Sequence, residues 1–302
     1  MRLNKKTAVL SAIGSMISIQ SGSSIAKCLF PLMGPAGAVV LRVGIAGILL
    51  ALAFRPNLFK FSARDWAYIF FYGFSIGAMN ISFYYGIQRV PLGIGVTIEF
   101  IGPLGLALIA SRQKTDLLWT FLAALGILMI VPWHTGTVDL VGIAFVATAG
   151  LMWALYIVAT SKITGKLKNT DSVTCGMCVA SLLVLPFGLF SGDLFHLNAK
   201  VLWLGLGVAV FSSALPFSLD LLAMKKLPAK TFSVLQSLQP AFGALSGLVF
   251  LREFLSLTQW LAVFCIIAAS VGATICAQEK PDPEGRRPRR SSSAPAERSL
   301  IH

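Results

Sequence analysis

Ten long apolar runs dominate this chain of 302 residues and leave only short segments between them. Each run has about 18 to 25 residues, enough for an α-helix rising 1.5 Å per residue to cross a hydrocarbon layer of about 30 Å. The runs are continuously apolar rather than alternating, which argues against a membrane β-barrel. They predict an all-α polytopic membrane protein with ten transmembrane helices, at 8–29, 35–54, 66–87, 91–111, 115–132, 139–160, 171–190, 199–223, 229–251 and 256–277.

The distribution of charge predicts an orientation. Only 12% of the residues are charged, against roughly 25% in a soluble domain, and the formal net charge is +13. With a cytoplasmic N-terminus, 20 of the 25 lysines and arginines fall in cytoplasmic loops and the tail. Membrane proteins keep basic residues on that side. We therefore expect both termini in the cytoplasm and no nucleic-acid partner.

Two proline-bounded segments indicate an internal repeat. Pro91 to Pro103 and Pro228 to Pro240 have the same spacing and lie 137 residues apart. Each half contains five runs, an odd number, so the halves enter the membrane from opposite sides. In such inverted repeats the substrate site lies between the repeats near the bilayer midplane. We predict a first five-helix repeat at 1–132, a second at 133–278 and a disordered basic tail at 279–302.

Four polar side chains stand out in the first predicted repeat. Glu99 and Arg42 lie well inside apolar segments, where a charged side chain costs about 2.5–3.5 kcal/mol on insertion scales and marks a functional site by default. Counting 1.5 Å per residue places Glu99, Arg42, Asn80 and Gln20 about 10–14 Å below the same predicted membrane boundary. Four helices thus bring polar groups to one level.

The chemistry of these groups suits a zwitterion. Arg42 can bind a carboxylate with its two-pronged set of donors. Glu99 can accept an ammonium group or carry a coupling proton, and Gln20 and Asn80 can bond a small hydroxyl or amide group. The alternative is a structural Arg42–Glu99 ion pair that only locks helices together.

Other polar and aromatic residues complete the candidate site. The residue of the second repeat that matches Glu99 is Gln236, which we predict to line the same site. Trp153 lies well inside the sixth run, either in the packed core or on a cavity wall. Asp220 is expected to form an interfacial pair near Lys225 and Lys226, and Lys27 to extend to the outer surface.

Signatures of an enzyme are weak. No histidine falls inside a predicted helix, no nucleotide-binding P-loop occurs, and the C-x-x-C of Cys175 and Cys178 lacks a second pair. We expect no enzymatic activity, no cofactor and no metal; the partners are a small-molecule substrate, a proton and the lipid bilayer. A membrane enzyme is a distant alternative, and the oligomeric state stays open.

The proline-bounded fourth and ninth helices, with LREFLSLTQW at 251–260, resemble the drug/metabolite transporter superfamily and its EamA-type exporters. The stretches 18–34, 41–47, 71–112 and 214–232 are similar to threonine/homoserine exporters of bacterial inner (plasma) membranes. This resemblance implies proton antiport of small amino acids such as threonine and homoserine out of the cytoplasm by alternating access. Related exporters move other metabolites, aromatic amino acids or drugs, and such a substrate is the alternative.

Overall fold

The computed structural model describes residues 5–58, 61–110, 116–130, 139–163, 169–224, 226–227 and 229–277. All regular secondary structure within these ranges is helical, which confirms the all-α class. The predicted tail 279–302 and the predicted repeat boundary at 132–133 lie outside the described residues. The α-helices are α1 (Lys5–Phe54), α2 (Ala63–Arg89), α3 (Leu92–Glu99), α4 (Ile101–Ala110), α5 (Asp116–Ile130), α6 (Leu140–Ile163), α7 (Asn169–Phe190), α8 (Ala199–Ala209), α9 (Leu215–Met224), α10 (Ala229–Gln236), α11 (Gln239–Leu251) and α12 (Leu257–Ala277).

Helix α1 covers the first two predicted segments and has a sharp kink at Gly34. Gly34 adopts a positive φ of 69°, which favours glycine. Pro35 follows it and cannot donate the backbone hydrogen bond that would continue the helix. The carboxylate of Asp193 occupies the space that a side chain at residue 34 would need. It also accepts a hydrogen bond from Gly37 N at 3.0 Å. A residue outside α1 therefore stabilises the kink.

The fourth and ninth predicted segments are each broken into two helices, at equivalent positions. Helix α3 ends at Glu99 before α4, and α10 ends at Gln236 before α11. A proline has no N–H to donate to the carbonyl four residues earlier. That carbonyl belongs to Glu99 for Pro103 and to Gln236 for Pro240. The repeated proline thus ends a short helix on a polar residue in both segments.

Helices α8 and α9 are joined by one π-helical turn, Val210–Ala214. Pro216 follows this turn and cannot donate a hydrogen bond to the Ser212 carbonyl, which weakens the α-helical pattern there. The hydroxyl of Ser18 on α1 donates to the Phe211 carbonyl at 2.6 Å. This contact fixes the π turn against α1, and π turns are frequent at functional sites.

Six described helical stretches are long and apolar enough to cross a membrane. Large apolar side chains also lie on the surface, and Phe190 and Phe254 are 92% and 81% exposed. Such surfaces mark contact with lipid or with other proteins, and together with the spans they identify a membrane protein. The six stretches are Lys6–Phe54, Leu92–Ile109, Leu140–Thr160, Ala199–Met224, Thr231–Leu251 and Leu257–Ile275.

The packing of the helices joins the two halves of the chain. Helix α2 packs along α6 and α7, α5 packs along α12, and α3 packs on α11. Helix α1 contacts α7, α8, α9 and α11. Tyr84 and Leu92 are fully buried in the main core. Because α1 to α3 belong to the first half and α7 to α11 to the second, these contacts pack the two halves against each other.

Asp139 caps helix α6 and pairs with the end of α2. Its Oδ1 accepts a hydrogen bond from Gly142 N at 2.8 Å, and its Oδ2 accepts one from Arg89 Nη1 at 3.1 Å. The backbone hydrogen bond from Gly142, and then the bond from Arg89, hold the pKa of the Asp139 carboxyl below its ordinary value. The charged carboxylate therefore stabilises the fold at neutral pH, and this contribution is lost as the pH falls through the lowered pKa.

We expect Asp139→Ala to lower the melting temperature in detergent at neutral pH. Asp139→Asn keeps a side-chain cap, so it should lower the melting temperature less. The difference between wild type and Asp139→Ala should shrink as the pH falls through the lowered pKa, because the wild-type carboxylate is then protonated. Thermal unfolding at neutral and acidic pH measures this, and a difference that is constant with pH would contradict the role of the charge.

Candidate functional site

A cavity of about 530 Å³ lies between the two halves of the chain. Its walls come from α1, α2, α3, α6, α7, α9, α11 and the π turn. Ligand pockets usually measure about 300–1,000 Å³, so this volume suits a small molecule. Five of the six predicted site residues line it: Gln20, Arg42, Asn80, Glu99 and Trp153.

Glu99 brings a carboxyl group into this cavity at the break between α3 and α4. It is the last residue of α3 and only 8% exposed. Arg42 is near enough for its charge to act on Glu99. The two ion pairs among the described residues involve other side chains, however, so the alternative of a structural Arg42–Glu99 pair does not form in this structure. The guanidinium of Arg42 and the carboxyl group of Glu99 can therefore both act on a ligand.

Arg42 is oriented by an aromatic ring. Its Nη1 donates a hydrogen bond to the Tyr84 hydroxyl at 3.2 Å, and its Cζ lies 5.5 Å from the centre of the Tyr84 ring. A guanidinium over an aromatic face is attracted by the ring. Tyr84 is fully buried and packs against Phe30. A rigid ring thus holds a guanidinium that can bind a carboxylate through two parallel hydrogen bonds.

Three glutamines form a chain of amides beside the cavity. Gln20 Nε2 donates to Gln239 Oε1 at 3.3 Å, and Gln239 Nε2 donates to Gln236 Oε1 at 3.3 Å. Gln20 and Gln239 line the cavity. Gln236 is not among the lining residues and lies behind the wall, so it acts on the cavity through Gln239 rather than as the direct lining that the repeat predicted.

Asn80 and Trp153 lie on the cavity wall with different surroundings. Asn80 Nδ2 donates to the Ile76 carbonyl of its own helix at 2.9 Å, which leaves the amide oxygen and the second N–H to offer a ligand. Trp153 packs edge-on against Phe100, with ring centres 5.7 Å apart. It closes the apolar part of the wall next to the α3–α4 break.

Asp220 lies on the cavity wall, which corrects the expected interfacial pair with lysine. Lys226 makes no ion pair among the described residues, and Lys225 lies outside them. The polar side chains beside the Asp220 carboxyl are instead Ser15 and Gln236. The position of Asp220 near the end of its helix did not indicate this location, because the cavity extends to the end of α1, as far as Phe54. A position near the membrane surface can therefore still face the cavity.

Three buried side-chain atoms of the described residues have no hydrogen-bond partner, and all belong to cavity-lining residues. They are Gln20 Oε1, Ser212 Oγ and Asp220 Oδ1. Buried polar atoms in native proteins are almost always paired. The wall formed by α1, the π turn and α9 therefore suits a ligand that carries hydrogen-bond donors.

Three successive polar contacts between α1 and the chain from α11 to Glu253, here called the ladder, close the side of the cavity away from Phe54. Beyond the Gln20–Gln239 bond, the hydroxyls of Ser24 and Ser246 share a hydrogen bond of 2.9 Å. The last contact is an ion pair of 2.5 Å between Lys27 Nζ and Glu253 Oε1, and each of these side chains is only 18% exposed.

The ion pair also ties in the segment between α2 and α3. Lys27 Nζ donates to the Val90 carbonyl at 2.8 Å, and Glu253 Oε2 accepts from Leu92 N at 2.6 Å. Lys27 therefore does not extend freely to the surface as expected, because a carboxylate of the other half and a backbone carbonyl hold it.

Sequence reasoning missed Gln239 and Ser212 as site residues. Gln239 directly precedes the repeated Pro240, so its position at a helix break was the available signal. Ser212 lies in an apolar run where serine is common, and the π turn that places it on the cavity wall has no simple sequence pattern apart from Pro216 four residues later.

Residues 140–275 match the EamA-like transporter family. The threonine/homoserine exporter RhtA of Salmonella typhimurium strain LT2 is 42% identical over 277 residues, which are 90% of this chain and 93% of that protein. RhtA of Escherichia coli strain K12 is 41% identical over 268 residues, covering 88% and 90% of the two chains. An uncharacterized transporter of Clostridium kluyveri is 27% identical over 142 residues, 45% of this chain and 44% of that protein.

A solved protein crystal structure with only 14% sequence identity superposes with a TM-score of 0.57 over 91% of this chain and 98% of the other. This likeness concerns the fold alone. The match to the two exporters covers 88–90% of this chain and therefore includes both halves. The chain therefore belongs to the EamA-like transporter family.

Proposed function

We propose that this chain exports small amino acids of the threonine and homoserine kind from the cytoplasm. The observation that carries the proposal is a cavity with Arg42 and Glu99 on its wall and no ion pair between them. The identity of 41–42% to threonine/homoserine exporters over about 90% of the chain supports the substrate class.

The two charged groups match the two charges of an amino acid. The guanidinium of Arg42 binds the carboxylate, and the carboxylate of Glu99 accepts the ammonium group or takes up the coupling proton. Both groups lie in a low-dielectric site, where charge-assisted hydrogen bonds are stronger than in water. The amide oxygens of Gln20 and Asn80 remain for the polar side chain of the substrate.

The proposed architecture has ten crossings in two inverted five-helix repeats, 1–132 and 133–278. The matching breaks after Glu99 and Gln236 support it. The family match over residues 140–275 covers nearly the whole proposed second repeat. Helix α1 supports it as well, because a straight helix of 50 residues would extend about 75 Å, more than twice the hydrocarbon thickness. The two halves of α1 on either side of Gly34 are therefore separate crossings.

The proposed orientation places both termini in the cytoplasm of a bacterium, with the chain in its inner membrane. The cavity reaches Phe54 at the end of α1, next to the basic segment that begins at Arg55. The ladder that ends at Lys27 and Glu253 lies on the other side. In this orientation the cavity is open toward the cytoplasm and closed toward the outside, the state that loads an exported substrate in alternating access.

Proton antiport is the proposed source of energy. A charge that crosses the membrane potential gains about 2.3 kcal/mol per 100 mV, which corresponds to a concentration ratio of about fiftyfold. Glu99 is the candidate carrier of that proton, because it is a buried carboxyl group on the substrate cavity without an ion-pair partner.

The Lys27–Glu253 pair is expected to hold the outer side closed. Hydrogen bonds to charged groups contribute about 1.5–3 kcal/mol each, so Glu253→Gln should raise the outward-open population tenfold or more. The measurement is labelling of Ser24→Cys by a membrane-impermeant maleimide from outside, after the native cysteines are replaced. Glu253→Gln should speed the labelling, whereas Arg89→Gln, which removes the Arg89–Asp139 ion pair, should not. Equal labelling rates in all three proteins would contradict the gate.

Export in cells tests the proposed function. A bacterial strain that lacks its own threonine exporters is loaded with a threonine-containing dipeptide, and free threonine is measured outside the cells. Expression of the chain should speed the appearance of threonine and raise tolerance to excess threonine and homoserine. Faster export of aromatic amino acids or drugs without faster export of threonine would instead favour the wider superfamily activity.

A further inference from the structure

One part of the cavity is not explained by the binding of a zwitterion. Arg42 and Glu99 account for the charges that all amino acids share, so they cannot distinguish a hydroxyl side chain from an apolar one. A specificity-determining group must be neutral, fixed in place and without a hydrogen-bond partner in the protein. Ser212 meets these conditions, since it is only 6% exposed, its Oγ lacks a partner and it lines the cavity.

The three unpaired atoms differ in what they can recognise. Gln20 Oε1 and a charged Asp220 Oδ1 only accept hydrogen bonds, so each can pair with an ammonium group or with a hydroxyl that donates, but not with a hydroxyl that accepts. The Ser212 hydroxyl both donates and accepts, and a ligand hydroxyl does the same. Ser212 can therefore pair with a hydroxyl as donor or acceptor, whereas a methyl group in that place leaves a buried hydroxyl unpaired.

The surroundings of Ser212 hold its hydroxyl in one place. It lies in the π turn that Ser18 fixes through the Phe211 carbonyl. Gly22 of α1 lies against the turn, and a Cβ atom at residue 22 would collide with Ser212 Oγ and approach Ser212 N to 2.9 Å. The missing side chain at residue 22 thus provides the space in which the hydroxyl stands.

We propose that Ser212, placed by the π turn and by Gly22, is the residue that selects substrates with a side-chain hydroxyl. This inference rests on the proposed export of threonine and homoserine and adds the origin of the specificity. It predicts that valine, which replaces the threonine hydroxyl by a methyl group of similar size, is rejected because it leaves Ser212 unpaired.

The test is competition in proteoliposomes, where a ratio within one sample is independent of the amount of protein. Uptake of labelled threonine in exchange for internal threonine is inhibited by external threonine or by valine. Wild type should require at least tenfold more valine than threonine for half inhibition. Ser212→Ala should lower that ratio about three- to tenfold, the effect of one hydrogen bond.

Two further variants complete the design. Gly22→Ala keeps the Ser212 hydroxyl but displaces it, so the valine-to-threonine ratio should fall as in Ser212→Ala. Ser75→Ala is the matched control, because Ser75 is buried outside the cavity and its hydroxyl donates to the Phe71 carbonyl of its own helix at 2.8 Å. Its ratio should equal that of wild type.

The outcomes separate the inference from the proposed function. An unchanged ratio in Ser212→Ala, while wild type exchanges threonine, overturns the role of Ser212 and leaves export intact. An unchanged ratio in Gly22→Ala overturns it in the same way if Ser212→Ala does not reach the membrane. No threonine exchange by wild type would overturn the proposed function itself.

Discussion

Glu99→Gln is expected to abolish transport driven by a proton gradient while the protein still inserts into the membrane. The substitution keeps the size of the side chain but removes its charge and its ability to take up a proton. The other acidic side chain on the described cavity wall, that of Asp220, belongs to α9. In proteoliposomes, a pH gradient should drive threonine accumulation in wild type and not in the variant.

A second measurement on the same variant separates the two roles proposed for Glu99. Exchange of internal for external threonine needs substrate binding but no net proton movement. Retained exchange assigns Glu99 to the proton, whereas lost exchange assigns it to the ammonium group. Asp139→Asn is the matched control, since it also converts a carboxylate to an amide but lies at the start of α6, outside the cavity. Unchanged gradient-driven transport in Glu99→Gln would remove Glu99 from the mechanism.

Arg42→Gln is expected to weaken threonine binding more than any other single change on the cavity wall. Loss of hydrogen bonds to a charged group costs about 1.5–3 kcal/mol, which corresponds to a ten- to hundredfold rise in the threonine concentration for half-maximal exchange. Arg42→Lys keeps the charge without the two-pronged geometry, so it should recover only part of the affinity.

The ligand itself supplies a control for Arg42. Threoninol lacks the carboxylate, so wild type should bind it far more weakly than threonine, and Arg42→Gln should bind the two with similar affinity. Tyr84→Phe removes the 3.2 Å hydrogen bond to Arg42 but keeps the ring, and should have a smaller effect than Arg42→Gln. If Arg42→Gln still preferred threonine over threoninol as wild type does, Arg42 would not bind the carboxylate.

Much of the candidate site was predictable because helices have a fixed rise. Counting 1.5 Å per residue brought Gln20, Arg42, Asn80 and Glu99 to one level, and the structure has all four on one cavity. The breaks near Pro103 and Pro240 were predictable as well, because a proline removes a specific backbone hydrogen bond.

The residues that sequence reasoning missed depend on contacts between distant parts of the chain. Lys27 and Glu253 are 226 residues apart, and no local pattern indicates that they pair. Asp220 was misplaced because distance from the membrane surface does not show how far a cavity extends. The first two predicted segments are joined by a kink at Gly34 rather than by a loop. This too depends on a distant contact, because Asp193 accepts a hydrogen bond from Gly37 N next to the kink.

The described contacts suggest a division of roles between the two halves. The first half contributes Arg42 and Glu99 to the cavity, while the second contributes one neutral amide, that of Gln239, and several hydroxyls together with Asp220. The break thus recurs at equivalent positions of the two halves. The residue at the break differs, because Glu99 has an ionisable carboxyl group and Gln236 has a neutral amide. We expect this asymmetry to matter more for binding than the symmetry does.

Purified protein in liposomes gives the most direct test of the central claim that the cavity carries small hydroxy amino acids. The liposomes contain unlabelled threonine, and labelled threonine is added outside. The account predicts rapid accumulation of label that external homoserine abolishes and that Arg42→Gln slows strongly. Absence of any accumulation above protein-free liposomes, or accumulation that homoserine does not affect and Arg42→Gln does not slow, would contradict it.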